Sequence, residues 1–177
     1  MVLTLSTQDQ PHTNRTPFMI TRRDLLLLPA CILSLPLLGA LVGFATRPGV
    51  DGWYQSAVRS ALTPPDYVFG IVWSVLYLLM GFYLWRIARR APDDSRRFLL
   101  RLFIAQLIAN LAWSFIFFQM QALWLAVVWI VGLIAAVGVL IKQTYKLDRW
   151  AALALVPLLA WMSFALYLST FIAWHLT

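Results

Sequence analysis

FLLRLFIAQLIANLAWSFIFFQMQALWLAVVWIVGLIAAVGVLI, residues 98 to 141, is the stretch that decides the fold. Its 44 residues carry one charge, Arg101, near the start. A single helix of that length would reach about 66 Å, twice the hydrocarbon thickness of a bilayer, so two spans are required. The polar Gln119-Met120-Gln121 is the one plausible turn between them. Outward from this stretch, Leu25 to about Ala45, Tyr67 to about Ala88 and Trp150 to Trp174 form three further apolar runs. The reading is an all-α polytopic membrane protein, a bundle of five transmembrane helices with spans near 25–45, 67–88, 98–118, 122–141 and 150–174.

Composition agrees. Of 177 residues, 62% are hydrophobic and 12% charged, against about half and a quarter in soluble domains. Residues 1–24 are polar, without apolar periodicity, and read as a flexible tail; 25–177 read as one transmembrane domain. Thr21-Arg22-Arg23-Asp24-Leu25-Leu26-Leu27 also fits a twin-arginine export signal, with a cleavage site after Ala45. The rival reading is a first transmembrane helix with basic residues at its cytoplasmic end; its apolar run is long for a signal core.

The net charge of +7 arises from 14 basic residues set between apolar runs, so it serves headgroups and topology, and nucleic acid is not an expected partner. Twelve lie in the tail, the second loop and the fourth loop. Only Arg47 and Arg59 lie in the first loop, and none in the third loop or the C-terminus. The expected orientation is N-terminus cytoplasmic and C-terminus outside, in a bacterial inner membrane.

No charged residue or His falls in the middle of a span, so acid–base catalysis has no residue there, and one Cys (Cys31) and two His (His12, His175) make no metal site. What remains are amides, hydroxyls and indoles. Gln106, Asn110, Trp113 and Phe117 share one stripe of helix 3. The two amides need partners, either in another helix or in a ligand. Helix 2 aligns Phe69, Trp73, Tyr77 and Met80; helix 5 aligns Trp161, Phe164, Ala165 and Leu168, with Ser169 alongside. Aromatic stripes serve packing or a pocket. Trp85, Trp124, Trp150 and Trp174 sit at span ends, where the membrane interface accounts for them. Trp73, Trp113 and Trp161 lie deeper, where an indole N–H needs a partner. Three such indoles beside two amides suggest a pocket for a flat, largely apolar ligand with polar edges. In the first loop, Pro64-Pro65 stiffens the approach to helix 2, and Trp53 and Tyr54 could fold down as a lid or join an aromatic belt.

Taken together, Trp53-Tyr54, Pro64-Pro65, Phe69-Gly70, Val72-Trp73, Leu76-Tyr77, Gln106-Leu107, Asn110, Trp113-Ser114, Phe117-Phe118, Pro157, Trp161, Phe164-Ala165 and Leu168 resemble the TspO/MBR family, the tryptophan-rich sensory and translocator proteins. The resemblance implies a five-helix bundle, often dimeric, with a pocket near the first loop for porphyrins such as protoporphyrin IX and haem, sterols or benzodiazepine-type compounds. It places Tyr54, Trp73, Asn110, Trp113, Trp161 and Ala165 in that pocket. With the residue reading, the candidate ligand-binding set is Trp53, Tyr54, Arg59, Trp73, Tyr77, Gln106, Asn110, Trp113, Trp161, Phe164 and Ala165. Arg59 is the nearest cation for a propionate.

The departures are Arg59-Ser60 for the family's Lys-Pro, Leu158 for a Tyr after the helix 5 proline, and Ser169 for an Asn. The family's sterol pattern fails after Tyr167, where no Lys or Arg follows. Three outputs follow: a tetrapyrrole-binding protein that senses, regulates or transports porphyrins; a light-dependent protoporphyrin-degrading enzyme using Trp73 and Trp161; or a carrier of lipophilic, sterol-like molecules. No cofactor is required beyond the porphyrin as ligand. The expected partners are the porphyrin, the lipid bilayer and a second copy docked through helix 3, where Ala105 and Ala109 are one turn apart. Gly39-x-x-x-Gly43 in helix 1 offers a similar small-residue face.

Overall fold

The computed structural model describes residues 22–176, with side chains from Leu28 onward. Residues 1–21 and the side chains of Arg22 and Arg23 therefore lie outside what is described, and the backbone of 22–24, read above as tail, opens the first helix. Among the described residues six α-helices occur: α1 (Arg22–Gly49), α2 (Asp66–Arg90), α3 (Asp93–Ser114), α4 (Leu123–Tyr145), α5 (Arg149–Ala154) and α6 (Val156–Leu176). The last two make one span, so five segments are long and apolar enough to cross a membrane. The fold is the all-α, five-span membrane bundle that the apolar runs require.

Proline sets the helix boundaries. α2 and α3 each start directly after an extended proline, Pro65 (ψ 147°) and Pro92 (ψ 149°). Asp66, and then Asp93 and Asp94, occupy the first turns, where carboxylates complement the helix dipole. Pro157 has no N–H for the carbonyl of Leu153, and the helix breaks at Leu155, separating α5 from α6. Two segments end in π-helical turns: α1 continues through Val50–Tyr54, with a kink at Gly52 (φ −91°, ψ −113°), and α3 through Phe115–Gln119. Trp53 and Tyr54 thus cap helix 1 and do not lie in a free loop; the loop proper is 57–65. The chain then reverses through Gln121 (φ 53°) into α4.

α1 packs on α2, α4 packs on α3, α5 and α6, and α2 also meets α3 and α5. The dense core lies toward the basic end, with Met80, Tyr83, Ile87, Phe103, Val137, Leu140, Leu155 and Leu158 fully buried. There Tyr83 and Thr144 share a hydrogen bond of 3.1 Å. At the same end Arg86 grips Asp148 through two bonds of 2.7 and 2.8 Å, and Asp148 also caps α5 by accepting from the Ala151 amide at 3.1 Å. Trp150 and Trp174 are exposed at opposite ends of the fifth span, as an aromatic belt requires.

The Asp148 side chain is 4% exposed and that of Arg86 10%. Burial works to raise the Asp148 carboxyl. The hydrogen bonds from Arg86 and Ala151 and the charges of Arg86 and Arg90 outweigh it and hold the group below its ordinary 3.8. A depressed carboxyl stabilises the fold fully above the unfolded value and loses that contribution as pH falls through the folded value. Thermal stability in detergent should therefore be flat from neutral pH to about pH 5 in this respect and fall under more acidic conditions. Asp148→Ala should remove about 3 kcal/mol or more at neutral pH by stranding the Arg86 guanidinium. A melting curve unchanged by the substitution would show that the pair contributes nothing.

Candidate functional site

Away from the dense end, α1, α2, α3 and α6 separate around a cavity of about 390 Å³. This is within the range of small-molecule sites. α6 packs chiefly on α4, so its face toward α1 and α2 is left as a wall. Trp73 and Tyr77 come from α2, with rings 5.5 Å apart. Trp113 and Phe117 come from the α3 end, stacked at 5.0 Å and 14°. Trp161 comes from α6, edge-on to Phe69 of α2 at 5.6 Å. The walls are thus flat π-faces on three sides.

The polar groups are sparse and specific. Asn110 is 4% exposed and lines the cavity, and its Nδ2 has no hydrogen-bond partner. A buried amide without a partner costs about 1–3 kcal/mol, so a ligand acceptor placed there recovers it. Among the described residues the indole N–H groups of Trp73 and Trp161 likewise form no hydrogen bond. Trp113 differs: its N–H donates to the Ala126 carbonyl of α4 at 3.1 Å, leaving only its ring for a ligand. Trp129 links the same two helices, donating to the Ala109 carbonyl at 2.8 Å.

Of the candidate residues, Tyr54, Trp73, Tyr77, Asn110, Trp113, Trp161 and Ala165 line this cavity. The other four do not. Trp53 donates to the Phe118 carbonyl at 2.8 Å and pins the end of helix 1 to that of helix 3. Gln106 is buried behind the wall, its Nε2 3.8 Å from the Met80 sulfur and its Oε1 without a partner. Phe164 packs between Trp161 and Tyr167. Arg59 is paired with Asp66 at 3.2 Å and lies over the Tyr54 ring, 5.8 Å from its centroid.

Reading the sequence missed the α1 wall of Pro36, Gly39, Gly43, Thr46 and Val50, together with Asp66 and Ser114. The α1 signal was present as small residues on one helical stripe, but Gly39 and Gly43 were grouped as a single packing face. They play opposite parts. A Cβ on Gly39 would overlap the Tyr77 ring, whereas one on Gly43 would meet nothing within 4 Å.

Fold and cavity together define a polytopic membrane protein with an aromatic-walled cavity among its spans. The profile of the TspO/MBR family matches residues 30–175, and the chain belongs to that family. It is similar to the tryptophan-rich protein TspO of Archaeoglobus fulgidus, 34% identical over 143 residues covering 80% of this chain and 92% of that one. The TspO protein of Chlorobaculum tepidum is 33% identical, covering 83% and 94%. The human translocator protein is 31% identical, covering 73% and 78%.

The two glycines provide a test of the wall. Gly39→Ala should destabilise by about 1–3 kcal/mol through overpacking against Tyr77. Gly43→Ala should melt at or above the wild-type temperature, since helix propensity improves and the added methyl is unopposed. Gly43→Phe should fold and lose ligand binding by filling the chamber. Equal melting shifts for the two alanine variants would contradict the assigned geometry.

Proposed function

We propose that the chain binds a tetrapyrrole, protoporphyrin IX or haem, in this chamber and acts in sensing, regulating or transporting it. The observation that carries the reading is the set of flat aromatic walls, Trp73 and Trp161 among them, around a cavity whose buried unshared donor is Asn110 Nδ2. A macrocycle matches the walls by stacking, and its polar edges match the donors. Relatives named as sensory or translocator proteins are consistent with such roles. The two unpaired indoles also favour a second reading, light-dependent oxidation of the bound pigment, because an indole is readily oxidised and the chemistry would rest on the pigment.

We further infer that the positive-inside count sets the loop 57–65 and the C-terminus outside a bacterial inner membrane. A homodimer would use the lipid-facing side of α3. Ala105 is exposed on that side, whereas Ala109 is half-buried. Ala105→Leu should shift detergent cross-linking toward monomer, and an unchanged dimer clears this face.

Titration of protoporphyrin IX, followed by tryptophan quenching and the Soret band in the dark, tests the binding reading. Trp73→Phe and Trp161→Phe keep the ring packing and delete one donor each, about 0.5–1.5 kcal/mol. Kd should rise roughly threefold to tenfold in each variant without a change in fold. A stable Soret band under illumination supports binding alone. Oxygen-dependent bleaching that both variants lose supports the oxidative reading. Wild-type affinity and wild-type photostability in both variants would reject the site.

A further inference from the structure

Asp66 is the one charged residue on the cavity wall among the described residues. It opens α2, and both carboxylate oxygens are engaged: Oδ2 accepts from Gln55 Nε2 at 2.6 Å and Oδ1 from Arg59 Nη1 at 3.2 Å. Arg59 is not a wall residue, and its guanidinium lies over the ring of Tyr54, which is. The other cation near this end, Arg47, is held by Asp51 at 3.1 Å. Each cation around the chamber mouth that a ligand carboxylate would seek therefore already has an internal carboxylate.

We propose that the Arg59–Asp66 pair is a charge filter at the mouth of the chamber, in which Asp66 competes with ligand carboxylates for Arg59 and biases the site toward ligands whose acid groups are absent or masked. The inference rests on the reading of the chamber as a ligand site and adds the chemical class that it favours. Two physical effects act in the same direction. An incoming carboxylate meets a guanidinium whose charge Asp66 already offsets through the Nη1–Oδ1 bond of 3.2 Å, so it gains less from Arg59 than from an unpaired cation. It must also approach the Asp66 charge, and that repulsion is screened only by solvent and salt. A neutral ester or amide meets neither effect. Gln55 holds the second Asp66 oxygen, so the carboxylate does not simply swing aside when a competitor arrives.

Asp66→Asn removes the competing charge and keeps one acceptor oxygen, enough for either Gln55 or Arg59. Arg59→Gln removes the cation and leaves Asp66 in place. Protein in phosphatidylcholine nanodiscs is titrated with protoporphyrin IX and with its dimethyl ester, read by tryptophan quenching. For Asp66→Asn the diacid should bind about fivefold more tightly at low salt, the scale of a partly exposed ion pair, with the diester within twofold of wild type. The gain should shrink as salt rises. For Arg59→Gln the diacid should weaken by a similar factor and the diester hold. A diacid-to-diester ratio equal in wild type and Asp66→Asn, or undiminished in Arg59→Gln, overturns the proposal. If the diacid binds wild type and the diester does not, the proposal is overturned; if neither binds, the tetrapyrrole reading fails on its own. Pyrenebutyric acid and its methyl ester then give the same ratio in the same variants. Failure of both esters removes the chamber as a ligand site, and the filter with it.

Discussion

A peptide N–H or C=O in hydrocarbon has no water to bond to, and each one left open costs several kcal/mol. Every span of this protein answers that constraint with helix. The places where the helical ladder is interrupted are therefore few, and each is compensated locally. The π-helical end of α3 closes with the Met120 amide on the Phe115 carbonyl at 2.9 Å, and the amide of Ala122 reaches the Ile116 carbonyl at 3.1 Å. At the break before Pro157, the Leu155 amide takes the Ala152 carbonyl at 3.1 Å.

Those interruptions shape the chamber. The π-helical turns end the first and third spans beside it, and beyond the bend at Leu155 α6 packs chiefly on α4 and meets α2 at the cavity through Trp161 and Phe69. The halves of the bundle then differ in kind. Toward the basic end, large side chains interlock around the Arg86–Asp148 pair. Toward the other end, a smaller buried cluster around Tyr54, Phe117, Ala126 and Ile172 and the contacts of Trp53 with Phe118, Gln119 with Ala45 at 2.9 Å and Ser60 with Tyr167 at 2.9 Å hold the walls in place beside the open space. Lipid tails are as apolar as the side chains, so a helix gains little by closing a gap that polar contacts do not draw shut.

Tryptophan divides three ways under the same constraint. Trp150 and Trp174 lie exposed at the ends of the fifth span. Trp53, Trp113 and Trp129 donate their N–H groups to backbone carbonyls of neighbouring helices. Trp73 and Trp161 do neither, and they face the chamber with Asn110. Residue type alone does not separate these uses, because a stapling indole such as Trp113 and an open one such as Trp73 both lie away from the ends of their spans.

The sequence by itself determined the number of spans, the all-α membrane fold and the aromatic and amide stripes on α2, α3 and α6, because hydropathy and helical period are local properties of the chain. The charge asymmetry and the proline pair before α2 were equally legible. Which stripe residues meet across the cavity was not. Gln106 and Asn110 share one face of one helix, yet packing buries the first behind Met80 and leaves the second on the wall. Gly39 and Gly43 share a stripe, yet a Tyr77 ring stands over only one. Arg59 was readable as a free cation until the fold brought Asp66 within 3.2 Å of it. Such pairings depend on the relative rotation and offset of helices distant in sequence, which no local pattern encodes and which only the packed bundle decides.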